Sequence, residues 1–458
     1  MKLVDTHCHL DLPDYNGDLS EVLVRAGNAG VERIVVPGID LNSSRKAVRL
    51  AAREPMLFSA IGIHPHEADK AKDEDIASLR ELAVSEDKIV AVGEIGIDLY
   101  KGYSDPAAQK KLLVKLIEMA LELDLPMIFH SREAAGELLE IIERYDHYAT
   151  RAVLHCFAGE QKHLEGFLAK GFYVSFAGNI TYAKASAIRD LAKKVPIEQL
   201  LLETDSPYLS PSEVRGKRNE PANVRSLPAV LAGTHGLSPE DVGRITSHNA
   251  NSLFKLGLER ANIYSYPIRD SLYLNVTSRC TNRCSFCTRD ISDYVKGHNL
   301  RLDKEPTAEE VINSMGDIDR YKDVVFCGFG EPTLRLGLVK KTAAFARSRG
   351  KKVRLVTNGE GDLIASRPIA KELASLVDLV SVSLNSPDEA GYDHICRSVF
   401  GERAYPGILA FLESCRDNGI KTEVTCLDLI GQEAVKAVKE KAVSLGATFR
   451  ERHTDVVG

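Results

Sequence analysis

The stretch DTHCHLD, residues 5 to 11, closes the short apolar run KLVDTH with two histidines, His7 and His9, set two positions apart. On a strand that spacing sends both side chains to the same side of the sheet, where they can share one cation. Further apolar runs follow, separated by amphipathic helical stretches: RIVVPG, LFSAIGIHP, IVAVGEIG, PMIFHS, AVLHCF, GFYVSFA and QLLLETD. With KLVDTH they make eight. Eight βα units in ~260 residues match a closed (β/α)8 barrel better than an open sheet, because that size is typical and the runs are apolar on both faces.

A βα barrel carries its active site at the C-terminal ends of the strands. Metal-capable side chains fall there repeatedly: His7 and His9 on the first run, His64 on the third, Glu94 on the fourth, His130 on the fifth, His155 on the sixth and Asp205 on the eighth. One such histidine is ordinary packing. A whole set is not, because buried ionisable groups are costly unless paired or bound to metal.

The totals frame this pattern. At 458 residues the chain is too long for one ordinary core, and 44% hydrophobic with 27% charged residues is usual for a globular protein. MKLVDTHCHL turns polar within five residues, and no apolar run approaches the ~18 needed to span a bilayer. The expectation is a cytoplasmic protein with no membrane partner. Nine cysteines, clustered once and otherwise scattered, fit reduced thiols plus a metal site rather than a disulfide framework. Residues 1 to 262 are net −7 and the remainder net +1, so no broad basic footprint for nucleic acid is present, although RGKR at 215 to 218 would serve locally for phosphates.

Beyond GLERANIYSYPIRD, residues 257 to 270, the barrel pattern breaks and a second series begins: SLYLNV, DVVFCG, KVRLVTN, DLVSVSL, KTEVTC and ATFRE. An incomplete parallel barrel and an open parallel sheet satisfy that count equally. The expected domains are residues 1–260 and 269–458. Directly after the first strand of this series, CTNRCSFC places Cys280, Cys284 and Cys287 within eight residues, with no further cysteine until Cys327. All-thiolate metal sites usually use four ligands. A zinc site completed by a histidine such as His298 is one explanation.

The stretches DTHCHLD, GIHPH, GEIGIDLY, IFHSR, LHCFAG, LLETDSPYL and RNEPANV, in order over residues 1 to about 258, resemble the signatures of TatD-family metal-dependent deoxyribonucleases. The resemblance implies a binuclear site. His7, His9 and Asp205 would hold one divalent ion, His130 and His155 the other, and Glu94 would bridge them. Asp205 would also accept the proton of the attacking water, His64 would lean on the scissile phosphate, and Arg132, Arg218 and Asn219 would hold neighbouring phosphates. Mixed histidine and carboxylate ligands suit zinc or manganese, whereas magnesium prefers fewer imidazoles.

The Cys-x3-Cys-x2-Cys spacing resembles that of radical S-adenosylmethionine enzymes, whose partial (βα)6 barrel the six strands would match. Three cysteines on a [4Fe–4S] cluster leave one iron for S-adenosylmethionine, and reductive cleavage would release a 5′-deoxyadenosyl radical. Phe286 matches the aromatic residue beside the adenine, and GFGEP, residues 328 to 332, resembles the family's segment that meets the cofactor's amino group, pointing to Gly328, Gly330 and Glu331. VTNGEG and VSVSLN sit where the family contacts ribose and carboxylate, pointing to Asn358, Ser383 and Asn385.

Together the halves resemble TatD-associated radical S-adenosylmethionine proteins. That implies a bifunctional enzyme acting on a nucleic acid or nucleotide, with an electron donor such as flavodoxin or ferredoxin. Hydrolysis of a small amide or phosphoester by the first half is an alternative, because fold does not determine substrate. In another, one half docks substrate for the other.

Overall fold

The eight apolar runs form eight strands: β1 (Leu3–Asp5), β2 (Val31–Pro37), β3 (Leu57–Ile61), β4 (Ile89–Asp98), β5 (Met127–Arg132), β6 (Ala152–Leu154), β7 (Tyr173–Phe176) and β8 (Leu200–Leu202). The computed structural model describes residues 1–145, 151–258 and 263–453, and the chain divides into two units, Met1–Glu259 and Arg260–Gly458. The expected domain limits at residues 260 and 458 lie outside the described residues.

In the first unit each strand pairs in parallel with the next, from β1 to β8. The sheet then returns on itself: Thr6 donates to the Leu202 carbonyl at 3.0 Å, Asp205 to the His7 carbonyl at 2.9 Å and His9 to the Ser206 carbonyl at 2.8 Å. These bonds close the (β/α)8 barrel. Alternation along the strands produces two apolar layers. Val4, Val35, Ala60, Ile128, Val153 and Leu201 pack into one buried cluster with Leu253, Phe254 and Leu256 from the end of the helix Pro239–Phe254. Their strand neighbours, such as Ile34, Val36, Phe129 and Leu154, join the larger cluster with the surrounding helices.

The second unit contains β9 (Ser265–Ile268), β10 (Ser271–Leu274), a short hairpin of β11 (Tyr294–Val295) and β12 (His298–Asn299), then β13 (Asp323–Phe326), β14 (Lys352–Thr357), β15 (Leu379–Ser383), β16 (Lys421–Leu427) and β17 (Thr448–Arg452). The main sheet runs β17-β16-β15-β14-β13-β10-β9. Six parallel strands in chain order make the partial (βα)6 barrel, with its own core around Leu274, Phe326, Leu355, Val382 and Phe411. The seventh strand was not foreseen. β9 pairs antiparallel with β10, placing Pro267 opposite Leu272, and it lies within GLERANIYSYPIRD, the stretch where the barrel pattern breaks. A proline is tolerated because β9 is an edge strand.

Gly96 couples this scaffold to the site. Its φ of +149° is open to glycine alone, and a side-chain carbon there would run into the His130 carbonyl on β5. Gly96→Ala is therefore expected to destabilise the first barrel by at least ~2 kcal/mol. Urea denaturation monitored by circular dichroism checks this; a midpoint equal to the parent's contradicts it.

Candidate metal centre and cysteine loop

His7 and His9 lie just past the end of β1 rather than within it. The Asp5 carboxylate accepts from the His7 and Thr204 backbone N–H groups, at 3.3 and 2.9 Å, and from the Thr204 hydroxyl at 2.6 Å. This knot ties the mouth of β1 to that of β8. Burial pushes the Asp5 carboxyl up to about 8, against the pull of the Thr204 bonds. The two imidazoles then converge, Nε2 to Nε2, at 3.2 Å.

Glu94 sits inside β4 and is buried, and its two oxygens face different neighbours. Oε2 lies 3.3 Å from His7 Nε2 and 3.6 Å from His9 Nε2. Oε1 lies 2.9 Å from both His130 Nδ1 and His155 Nε2, and 3.4 Å from His64 Nε2. Asp205, held just after β8, places Oδ1 3.8 and 3.6 Å from His7 and His9. Among the described residues, groups able to hold a cation include His7 with His9 and Glu94, and His64 with Glu94 and His130. A third, His7 with His155 and Glu203, shares their ligands.

An outer ring of carboxylates orients these imidazoles. Asp98 Oδ2 lies 3.2 Å from His130 Nε2 and 2.8 Å from His66 Nε2. Glu203 Oε1 lies 3.5 Å from His155 Nδ1, while its other oxygen accepts from Ser175 at 2.6 Å. A carboxylate on one ring nitrogen holds the proton there and leaves the other nitrogen bare. In the metal-free cluster the inner nitrogens of His130 and His155 hydrogen-bond to Glu94 Oε1, and with the outer protons held by Asp98 and Glu203 those inner nitrogens are the ones that turn to a cation when it displaces their protons. His64 is the reverse: its Nδ1 accepts from the His66 backbone N–H at 3.2 Å, so Nε2 carries the proton into the cavity.

Burial would raise the Glu94 carboxyl, but the charges of His155 and His64 and the His130 hydrogen bond outweigh it and hold the group well below the ordinary carboxylate range. Burial lowers His155, yet Glu94 and Glu203 prevail and lift it well above an ordinary imidazole. The metal-free cluster therefore retains protons that a divalent cation displaces. Oxygen and imidazole donors of this mixture fit such a cation.

The cluster floors a cavity of about 770 Å³ lined also by Lys101, Tyr103, Arg132, Asn179 and Tyr208. The Arg132 guanidinium lies over the Tyr100 ring at 3.9 Å and engages no hydrogen bond or ion pair among the described residues. The other two residues expected at phosphates are engaged by protein groups. Arg218 bonds Asp18 at 2.8 and 2.6 Å and covers the Tyr15 ring. Asn219 is fully buried, its amide donating to the Thr204 and Tyr208 carbonyls and its oxygen accepting from Glu220 and Asn223. Both brace the scaffold. Asp5, Asp98, Glu203 and His66 were not singled out from sequence, although all four lie within the quoted stretches.

In the second unit Cys280, Cys284 and Cys287 lie half-buried on the loop after β10. Backbone bonds from Arg283 and Ser285 to the carbonyls of Cys396 and Ile395 fix that loop. Burial pushes the Cys280 thiol up to about 12 and raises Cys287 as well. An all-thiol donor set fits a soft metal group. GFGEP packs directly against the approach to the cysteines: Glu331 donates its N–H to the Arg279 carbonyl at 2.8 Å, and a Cβ on Gly330 would strike the carbonyls of Thr277 and Arg279. Gly328 likewise abuts Asn275.

Two of the residues expected at the cofactor carry protein contacts. The Glu331 carboxylate accepts from the Thr333 backbone and hydroxyl, the Thr357 hydroxyl and the Asn358 backbone, at 2.6–2.9 Å. The Asn358 amide bonds Thr281 at 2.7 Å and Glu360 at 3.2 Å. These two residues tie the loops after β13 and β14 together. Phe286 is half-buried on the cysteine loop, Ser383 ends β15 half-buried, and Asn385 is buried with its amide 4.0 Å from the Cys396 sulfur. His298, the alternative zinc ligand, directs Nε2 to the Pro267 carbonyl at 2.9 Å.

Comparison with known proteins agrees with this geometry. The TatD related DNase model matches residues 4–255, and the Radical SAM superfamily model matches residues 274–436. The chain is 36% identical over 254 residues to the uncharacterized metal-dependent hydrolase YabD of Bacillus subtilis (strain 168), covering 56% of this chain and 99% of that protein. It is 34% identical over 260 residues to the 3'-5' ssDNA/RNA exonuclease TatD of Erwinia billingiae (strain Eb661), with 56% and 99% covered. The crystal structure of YjjV, a TatD homologue from Escherichia coli K12, superposes with a TM-score of 0.53 at 34% identity, covering 55% of this chain and 98% of that one. With a barrel closed on this cluster and a family model matching more than half its length, the chain belongs to the TatD related DNase family, joined in one polypeptide to a radical SAM domain.

Proposed function

We infer that residues 1–260 hydrolyse phosphodiesters of a nucleic acid or nucleotide with two divalent ions, and that residues 269–458 perform radical S-adenosylmethionine chemistry. The observation that carries the hydrolytic half is the divided Glu94 carboxylate, one oxygen toward His7 and His9 and the other toward His130 and His155. In this reading His7, His9 and Asp205 hold one ion, His130 and His155 the second, and Glu94 both. Paired ions supply charge neutralisation at the phosphoryl group and a water made acidic enough to attack near neutral pH. The number of imidazoles favours zinc or manganese over magnesium.

The chain's own groups do the rest. His64 directs its Nε2–H at a phosphoryl oxygen, and Arg132 holds a neighbouring phosphate with its unpaired guanidinium edge. Asp205 Oδ1, at the cavity wall beside His9, takes the proton released by the nucleophile. Complete donor sets in both halves argue against a role for either as a mere docking module.

In the second half Cys280, Cys284 and Cys287 hold a [4Fe–4S] cluster. Such a cluster, when bound and reduced, would supply one-electron chemistry toward S-adenosylmethionine, with Cys280, Cys284 and Cys287 as the residues that would hold it. Gly328 and Gly330 let the GFGEP backbone approach the cysteine segment closely enough to meet the cofactor. A low-potential one-electron donor of the flavodoxin or ferredoxin class completes the requirement.

Asp205→Asn retains a coordinating oxygen but takes no proton, so kcat on a phosphodiester should fall by at least ~100-fold with a smaller change in KM. Metal analysis alongside the kinetics separates the roles: loss of bound metal in step with activity would show that Asp205 only coordinates. Replacing Cys280, Cys284 and Cys287 together by alanine should abolish the brown chromophore and 5′-deoxyadenosine formation after anaerobic reconstitution, while hydrolysis stays near the parent rate. A folded triple variant without hydrolysis would contradict the assignment of hydrolysis to the first half alone.

A further inference from the structure

The two sheets treat their inner faces differently. In the closed barrel that face is apolar, with Val4, Val35, Ala60, Ile128, Val153 and Leu201 packed against one another. In the second sheet Leu274, Phe326, Leu355 and Val382 lie on the face that the helices cover. The strand register sets Tyr273, Val325 and Arg354 side by side on the other face. Ser381 stands opposite Glu423 on the same face, and on β17 Arg450 and Arg452 alternate onto it, opposite Thr425 and Leu427. This inner face is polar and charged.

Some of its charges are matched within the face. Arg450 donates to both oxygens of Glu423, from Nε at 3.1 Å and from Nη2 at 2.9 Å, and the Ser381 hydroxyl donates to the same carboxylate at 2.7 Å. Others are not matched. Arg354 Nε is buried without a hydrogen-bond partner among the described residues, as is Oδ1 of Asp323, whose other oxygen lies 3.8 Å from Arg354 Nη2. Arg354 donates instead to the Tyr273 hydroxyl, at 3.4 Å. Arg452, exposed on β17, engages no side-chain hydrogen bond or ion pair among the described residues. The arginines converge: burial raises the Cys327 thiol against the pull of Arg452, Arg354 and Arg450 together. With Lys352 and Lys421 at the strand starts, cations on this face outnumber Asp323 and Glu423. A guanidinium nitrogen buried without a partner is costly unless a ligand meets it. An Nε–H beside an Nη–H is the fork from which a carboxylate or phosphate accepts two bonds at once.

We propose that this face binds the substrate of the radical half, and that the substrate carries an oxyanion, carboxylate or phosphate, seated on Arg354 and Arg452. The proposal rests on the radical S-adenosylmethionine reading. The cofactor has a carboxylate of its own, but its expected contacts, GFGEP, Ser383 and Asn385, lie at or beyond the strand ends, whereas Arg354 stands inside β14, which runs on to Thr357.

The test uses the full chain, reconstituted anaerobically with iron and sulfide, and phenylglyoxal, which modifies guanidinium groups. Peptide mass spectrometry reads Arg354 and Arg452 individually, so that an anion bound over Glu94 in the first barrel does not register. Inorganic phosphate or acetate, added with S-adenosylmethionine present, should slow the modification of both arginines. Protection by phosphate marks a phosphoryl group on the substrate, and protection by acetate alone marks a carboxylate. In Arg354→Gln the anion concentration that half-protects Arg452 should rise by ~10- to 150-fold, and Arg452→Gln should do the same at Arg354. Rates in the parent that are equal with and without both anions overturn the proposal. Protection by S-adenosylmethionine alone, with no further effect of either anion, also overturns it, because the face would then hold the cofactor's carboxylate. If the reduced parent forms no 5′-deoxyadenosine yet phosphate or acetate shields both arginines, the radical reading fails and the oxyanion site stands.

Discussion

A single buried carboxylate, Glu94, meets five imidazoles, and the architecture of the first barrel is arranged to make that possible. Leaving such a charge alone in the interior would cost several kcal/mol, and it would neutralise itself by taking a proton. Here His155, His64 and His130 keep it ionised. The imidazoles in turn need defined protonation, which Asp98 and Glu203 supply from behind. Removing Glu94 would leave the facing imidazoles without their shared acceptor.

That arrangement demands residues from six strand ends within a few ångströms, which a closed barrel provides. β4 brings Glu94 in from its interior, and Gly96 permits the close approach of β5 that sets His130 at 2.9 Å. Asp5 and Thr204 lock the seam where the sheet meets itself, directly beneath His7 and Asp205. Closure of the fold and assembly of the site are therefore one event. In the second unit glycines at 328 and 330 serve a comparable purpose, letting one loop lie against the backbone that precedes the cysteines.

Much of this was legible in sequence because it repeats. Eight apolar runs, six of them ending in histidine or carboxylate, announce a barrel and a cation site together, and three cysteines in eight residues announce a thiolate site. The outer carboxylates carried no such signal. Asp98 and Glu203 lie within GEIGIDLY and LLETDSPYL, but an acid that acts by holding a histidine has no spacing of its own to betray it. RGKR shows the converse: its local charge was visible, while Asp18, 200 positions away, which binds Arg218, was not. β9 was hidden by its proline, and Asn358 by a partner, Glu331, supplied from another loop. Long-range pairing decides whether a polar residue faces a ligand or braces a loop, and local pattern does not encode it.

The central claim is that Glu94 joins two cation positions, and electron paramagnetic resonance of the chain loaded with manganese tests it most directly, since ions sharing a carboxylate couple magnetically. The account predicts the spectrum of a coupled pair in the parent and that of isolated ions, or none bound, in Glu94→Ala. A spectrum of isolated ions in the parent, or an intact coupled pair in the variant, would contradict it.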